Sequence, residues 1–303
     1  MKNGNEACDK TDIGKTCQDL GFGGGTLSCS TSCTLLTGSC STQGWATIPG
    51  GLFSMGSPTT EPCRDATDET QHQVTLTHGF EISPKETSQA EFQSVMSYNP
   101  ASFNLCGSSC PVESVSWHEA ATYCNKLSTS KGLALCYSCS GSGSSVACTE
   151  APSYGGAAIY TCPGYRLPTD AEWEHAYRAG KTTALYNGTI TGCVTADSNA
   201  DVIAWYTGNA GSTPHPGGQK LANLWGLYDM AGNVYEWCHD WYQADLGTAQ
   251  VSNPWGTATG AARVIRGGSY KNSPASVRAA SRNSFNPASP HATIGFRCVR
   301  TRD

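Results

Sequence analysis

The sequence predicts an irregular, loop-rich α+β domain preceded by a small disulfide-stapled module. Three observations point there. Residues 1–43 hold Cys8, Cys17, Cys29, Cys33 and Cys40 among Gly, Ser and Thr, and so small a segment cannot bury enough core to fold without covalent staples. From residue 44 to 303, short stretches of strand-like alternation are separated by turns, consistent with 34 glycines. Three hydroxyl-x-x-Glu signatures mark helix starts, whereas the C-terminal part has almost no helical periodicity.

Along the chain, the 1–43 module carries the Gly23-Gly24-Gly25 tract and reads as a surface stalk or spacer. Gln73-Val-Thr-Leu-Thr77 alternates like a half-buried strand, as does Arg263-Val-Ile-Arg266. Ser88 with Glu91, Ser116 with Glu119, and Thr169 with Glu172 have capping-box spacing, in which hydroxyl and carboxylate satisfy each other's free backbone N–H groups. The third helix is expected to stop at Gly180. His118 and His175, placed early in capped helices, are expected at the surface.

Between the second and third helices, residues 133–163 form a Gly/Ser-rich insertion with Cys136, Cys139, Cys148 and Cys162. Only the first two have the two-residue gap that structural zinc favours, so disulfides are expected instead. Cys106-Gly-Ser-Ser-Cys110 reads as a small stapled loop. Five cysteines precede residue 44 and eleven follow, so full pairing would require a bridge across that boundary.

Composition excludes several function classes. Charged residues are 14% of the chain, against about 25% in an ordinary soluble domain. Lys plus Arg number 19 against 24 acids, a net charge of −5, with none of the basic clustering that a nucleic-acid reader needs. No apolar run approaches the ~20 residues of a membrane span. Sixteen cysteines favour an oxidising setting, extracellular or at the cell surface. Met1-Lys-Asn-Gly-Asn5 lacks the apolar region of a signal peptide, so a leader is expected to have been removed.

Five phrases then follow in order: Pro111-Val-Glu-Ser-Val-Ser-Trp-His-Glu-Ala-Ala-Thr-Tyr-Cys124, Gly164-Tyr-Arg-Leu-Pro-Thr-Asp-Ala-Glu-Trp-Glu174, Trp225-Gly-Leu-Tyr-Asp-Met-Ala-Gly-Asn-Val-Tyr-Glu-Trp237, Arg266-Gly-Gly-Ser269 and Gly295-Phe-Arg297. Together they resemble the formylglycine-generating enzyme (sulfatase-modifying factor) family over roughly residues 44–302. Cys17 to Cys33 resembles Cys-rich segments of secreted myxobacterial proteins. The family resemblance implies a C-type-lectin-like variant fold with bound calcium. It also implies a disulfide between Cys124 and Cys298, whereas the positions of the family's second bridge are Tyr177 and Ala279. Composition and periodicity alone reach only an irregular α+β domain.

The resemblance also allows the chemistry to be tested residue by residue. The family's oxidases hold copper with two cysteine thiolates shortly after Gly-Gly-Ser, and soft thiolates are what Cu(I) prefers. Here Ser269 is retained, Asn272 stands at the first thiolate position, and no cysteine lies between Gly268 and Gly295. The seven histidines have no ligand spacing that would suit iron, and neighbours such as His239 and Asp240 rarely face one another. Calcium is implied at Asp229, Gly232, Val234 and Glu236, with carboxylates from Asp229 and Glu236 and main-chain carbonyls from the other two. A second calcium site near Trp205–Asn209 cannot be matched.

The function expected is a secreted or surface-exposed, calcium-stabilised binding module. Its candidate face is Tyr270, Lys271, Asn272, Phe285 and Asn286, a mixture of aromatic and adaptable polar groups common in binding surfaces. The ligand would be a protein, peptide or glycan. Arg278 and Arg282 are expected to hold the frame through buried hydrogen bonds. The alternatives are an enzyme of different, non-copper chemistry and a structural cell-surface or filament protein.

Overall fold

The computed structural model describes residues 44–302 and, ahead of them, the backbone of four two-residue strands: β1 (Gly24–Gly25), β2 (Ser28–Cys29), β3 (Leu35–Leu36) and β4 (Cys40–Ser41). β1 pairs with β4 and β2 with β3, both antiparallel. The expected disulfides and spacer role of the 1–43 module otherwise lie outside the described residues.

β5 (Ala46–Ile48), β6 (Gly51–Met55), β7 (His72–Leu76) and β8 (Phe80–Ile82) lead to α1 (Gln89–Met96) and α2 (Trp117–Ser130). The insertion contributes the hairpin β9 (Tyr137–Ser140) and β10 (Ala147–Glu150), and β11 (Tyr165–Arg166) leads into α3 (Asp170–Arg178). After α4 (Ser198–Ile203) come β12 (Tyr235–Trp241), β13 (Val251–Ser252), β14 (Arg263–Arg266), β15 (Arg282–Phe285), β16 (Ile294–Gly295) and β17 (Val299–Thr301). One sheet runs β11-β17-β8-β5, a second β15-β14-β12-β16 and a third β13-β7-β6. The irregular α+β reading holds.

All three capping boxes form as the spacing predicts, with Ser88, Ser116 and Thr169 as N-caps. α3 stops one residue early, at the left-handed Ala179, followed by Gly180 at φ +82°. β7 alternates buried and exposed residues. Cys136–Cys162, Cys139–Cys148 and Cys106–Cys110 are bridged as expected.

Three expectations are corrected. His175 is buried rather than at the surface, wedged between Phe53 and Trp225 with Nε2 3.0 Å from the Pro49 carbonyl. His118 is half-buried because the backbone N–H of Cys148 donates to its Nδ1. None of the eleven cysteines among the described residues 44–302 is bridged back across residue 44. Eight of the eleven later cysteines pair among themselves, including an unanticipated Cys63–Cys193 bridge, and Cys124, Cys238 and Cys298 are unbonded and buried. A bridge that closes as long a loop as Cys63–Cys193 contributes about 4–5 kcal/mol in the chain-entropy model.

Two indoles clamp the second sheet to the start of α2. Trp117 Nε1 donates to the Cys238 carbonyl and Trp237 Nε1 to the Val115 carbonyl, both at 2.9 Å. Around α3 the interior becomes charged. Every residue of α3 is buried, and its carboxylates are saturated. Glu172 binds Arg166, Asp170 binds Arg266 and Arg282, and Glu174 binds Arg178 and Arg266. Arg278 is held by Glu61 and Glu69, so Arg278 and Arg282 bear the framing role expected of them.

Burial alone would raise the carboxyls of Asp170 and Glu174, yet the neighbouring arginines hold both below the ordinary range. Their stabilisation is therefore present above the unfolded carboxylate range, about 4, and is lost as pH falls through it and below. Glu174→Ala would leave Arg178 and Arg266 buried with a charge uncompensated. It should cost about 3–5 kcal/mol, measurable by urea denaturation at neutral pH, and the deficit should shrink on acidification.

Candidate functional site

The segment Asp229 to Glu236 turns from a loop into β12. Asn233 takes a left-handed φ of +59°, which an asparagine tolerates. Its side chain donates to Glu86 Oε2 at 2.6 Å and to the His215 carbonyl at 3.1 Å. The Val234 N–H donates to Glu86 Oε1. Gly232 sits so close to Trp205 that a Cβ there would lie 2.2 Å from the Trp205 carbonyl oxygen; no other residue fits.

Of the expected calcium ligands, Asp229 fits a cation and Glu236 does not. Asp229 is 1% exposed; its Oδ2 accepts the Gly218 N–H at 2.6 Å, while Oδ1 is buried without a partner. Burial, with Glu236 nearby, pushes its carboxyl up, as expected of a carboxylate short of positive charge. Glu236 is an ion-pair partner of Arg297. Arg297 binds both its oxygens at 2.7 Å, and Trp173 Nε1 donates to Oε2 at 2.8 Å. Among the described residues no three His, Cys, Asp or Glu side chains form a metal-ligand group, so any cation at this turn would depend on main-chain oxygens such as those of Gly232 and Val234.

Glu86 was not among the residues that sequence reasoning singled out. It is fully buried, and burial first, then Asp229 and Glu236, push its carboxyl well above the ordinary range. The only cue lay in the two free donors that a left-handed Asn233 turn must satisfy, which requires knowing the fold.

Ser269, Tyr270, Lys271 and Asn272 form a closed turn. Gly268, at φ +73°, passes so near the Ser276 carbonyl that a Cβ would lie 2.9 Å from its oxygen. Ser269 Oγ donates to Asn272 Oδ1, the Asn272 N–H to the Ser269 carbonyl, and the Thr207 N–H to the Asn272 carbonyl. The Asn272 side-chain oxygen is thus already committed within its own turn.

The candidate face is partly assembled. Tyr270 Oη donates to the Ala292 carbonyl at 3.1 Å, which brings the 269–272 turn against the 285–292 loop. That bond buries Tyr270 completely, with Phe103 against its ring at 5.4 Å, so Tyr270 is removed from the face. Asn272 is half-buried. Phe285 is half-buried between Trp237 and His291, and so belongs as much to the core as to the surface. Lys271, Asn286 and His291 are exposed. Leu105, 98% exposed, stands beyond Phe103 on the neighbouring loop.

His239 and Asp240 do not face one another. His239 Nε2 lies 3.1 Å from Glu150 Oε1, its Nδ1 3.3 Å from Tyr137 Oη, and Asp240 accepts the Asp170 N–H. Such a relay resembles a catalytic one, but Tyr137 and His239 are closed to solvent. Burial lowers the proton affinity of His239. The network holds the insertion hairpin against β12.

The family model of the sulfatase-modifying factor enzyme 1-like domain matches residues 36–302. The chaperone protein LppX of Paenibacillus barcinonensis is 29% identical over 289 residues, covering 87% of this chain and 94% of that protein, so the likeness is nearly end to end. The formylglycine-generating enzyme of Thermomonospora curvata is 36% identical over 166 residues, covering 47% of this chain and 51% of the enzyme; there the match spans only about half of the relative. Among solved structures, Treponema denticola variable protein 1 matches with a TM-score of 0.70 and 30% identity, over 85% of this chain and 95% of that one. The chain belongs to the sulfatase-modifying factor enzyme 1-like family and has its fold.

Proposed function

We propose that this chain is a calcium-stabilised binding module, secreted or surface-exposed, on a family scaffold that has lost copper chemistry. The observation that carries this reading is the Ser269–Asn272 turn. Where copper would need a thiolate, an amide oxygen is bound to the neighbouring serine, and the three unbonded cysteines of the described residues are buried elsewhere. Supporting it are the end-to-end likeness to a protein named as a chaperone and to one named as variable. Four disulfides fit an extracytoplasmic setting.

The face that remains is Lys271, Asn286 and His291, with the side-chain nitrogen of Asn272 and the edge of Phe285. Its partner would be a protein, peptide or glycan. Incubation with copper, oxygen and a sulfatase-type cysteine peptide should give no aldehyde, and turnover would overturn the reading. On peptide and glycan arrays, Lys271→Ala with His291→Ala should cut capture tenfold or more at an unchanged melting temperature. Capture that survives this double variant would move the face elsewhere.

Calcium at this turn would be held by Asp229 and the main-chain carbonyls of Gly232 and Val234, with Glu236 committed behind them to Arg297. It would supply fixed positive charge to a loop that lacks ladder bonds of its own. Binding to the folded state alone adds about 2.7 kcal/mol when calcium is a hundredfold above its Kd. Chelator should therefore lower the melting temperature of the parent and leave Asp229→Ala almost unaffected; a parent indifferent to chelator counts against the site.

Cys124 and Cys298 are the remaining pair. Their sulfurs stand 3.1 Å apart, unbonded and buried, which places them in reach of a disulfide in an oxidising setting. Non-reducing peptide mapping should recover the two as one linked species and Cys238 as a free thiol. Free thiol at Cys124 in the secreted, oxidised protein would reject the bridge.

A further inference from the structure

A cavity of about 280 Å³ opens beside α3, between the end of β12 and the segment 243–256. None of the candidate-face residues lines it. Its apolar wall is Trp255, Leu246, Val251 and Pro254, and that wall is fixed in place. Val251 and Ser252 pair with β7, and the Asn253 N–H donates to the Thr75 carbonyl. The Pro254 carbonyl accepts from Tyr160 Oη at 2.5 Å. Preformed pockets with a few convergent polar groups are the usual setting of small-molecule sites.

Four polar side chains in the wall are more than nine-tenths buried: Asp170, whose carboxylate is already taken by Arg266 and Arg282, with Arg282 at 8% exposed, Asp240 at 4% and His72 at 5%. Arg282 spends Nε on Asp170 and Nη1 on main-chain carbonyls, and among the described residues its Nη2 donates to nothing. Asp240 Oδ2 accepts the Asp170 N–H at 2.9 Å, which leaves Oδ1 open. His72 Nδ1 lies 3.0 Å from the Thr70 carbonyl. A carbonyl only accepts, so the proton sits on Nδ1 and Nε2 is left as an acceptor.

We propose that this cavity binds a neutral, hydroxyl-rich small molecule of the size of one sugar ring. A hydroxyl both donates and accepts, so neighbouring hydroxyls can serve Arg282 and Asp240 or His72 together, while the ring's C–H face lies on Trp255. An anion suits the cavity less well, because Asp170 already matches the Arg282 charge. Burial, and Asp170 beside it, push the Asp240 carboxyl well above the ordinary range, and the same environment opposes a further negative charge. A cation would meet the Arg282 guanidinium.

The test is titration of the intact protein with glucose, galactose and N-acetylglucosamine, and with benzoate and benzylamine as charged probes, followed by tryptophan emission and calorimetry. At least one sugar should bind saturably in the millimolar range. Binding should weaken tenfold or more in Asp240→Asn and in Leu246→Trp. The second variant fills the cavity from a half-buried loop position and touches no buried charge, so it remains informative if the first does not fold. Saturation by a charged probe alone overturns the proposal, as does the absence of saturation by any sugar at tens of millimolar. Undiminished sugar binding in folded Leu246→Trp does so too. None of these outcomes depends on calcium or on the Lys271 face.

Discussion

A nine-residue helix with no solvent face carries three acidic side chains and an arginine into the interior, and the rest of the molecule is arranged to satisfy them. α3 supplies Asp170, Glu172, Glu174 and Arg178, and the matching arginines arrive from β11, β14 and β15. Taking such charges out of water costs several kcal/mol per ion unless every donor and acceptor is met. A one-residue slip in β14 or β15 would therefore strand a buried guanidinium as well as misplace apolar groups. In a fold with many short strands and little regular ladder, charge pairing does what long sheets do elsewhere: it fixes which segment sits beside which.

The same logic extends outward. Glu236, the second residue of β12, is bound to Arg297 and Trp173, so the turn at Asp229 to Glu236 is anchored before any cation is considered. Arg263 shows the apolar variant of the device. Its guanidinium lies between the rings of Trp117 and Trp241, 4.0 and 3.7 Å from their centroids, and burial lowers its pKa to about 10. Two aromatic faces and the His239 carbonyl stand in for the carboxylate it lacks. Beside this frame the 269–272 turn is closed by its own hydrogen bonds, from Ser269 Oγ to Asn272 Oδ1 and from the Asn272 N–H back to the Ser269 carbonyl.

Much of the frame was legible in the sequence because it depends on local spacing. All three capping boxes need only four residues each to specify them, and the hairpin disulfide joins Cys139 and Cys148, which lie directly opposite in the β9–β10 register. What local spacing cannot show is which distant group arrives. His175 reads as a polar residue near a helix start, yet Phe53 and Trp225 enclose it. Glu236 reads as a ligand within its own phrase, yet Arg297, from the link between β16 and β17, occupies both its oxygens. Tyr270 reads as a display residue until its hydroxyl finds Ala292. Arg278 and Arg282 were legible as frame residues, but the carboxylates that hold them, such as Glu69 and Asp170, lie more than a hundred residues away.

The placement of the insertion's disulfides has a consequence for proteolysis. The exposed turn 141–145 is the kind of loop tip that proteases nick first, and it lies wholly inside the Cys139–Cys148 bridge. That bridge is enclosed in turn by Cys136–Cys162. A cut there would release no fragment and would leave both strands of the hairpin tied together on either side of the break. Damage of this sort would be silent on a non-reducing gel and appear only when the bridges are reduced, so the molecule can be cut at its most accessible point and still hold its shape.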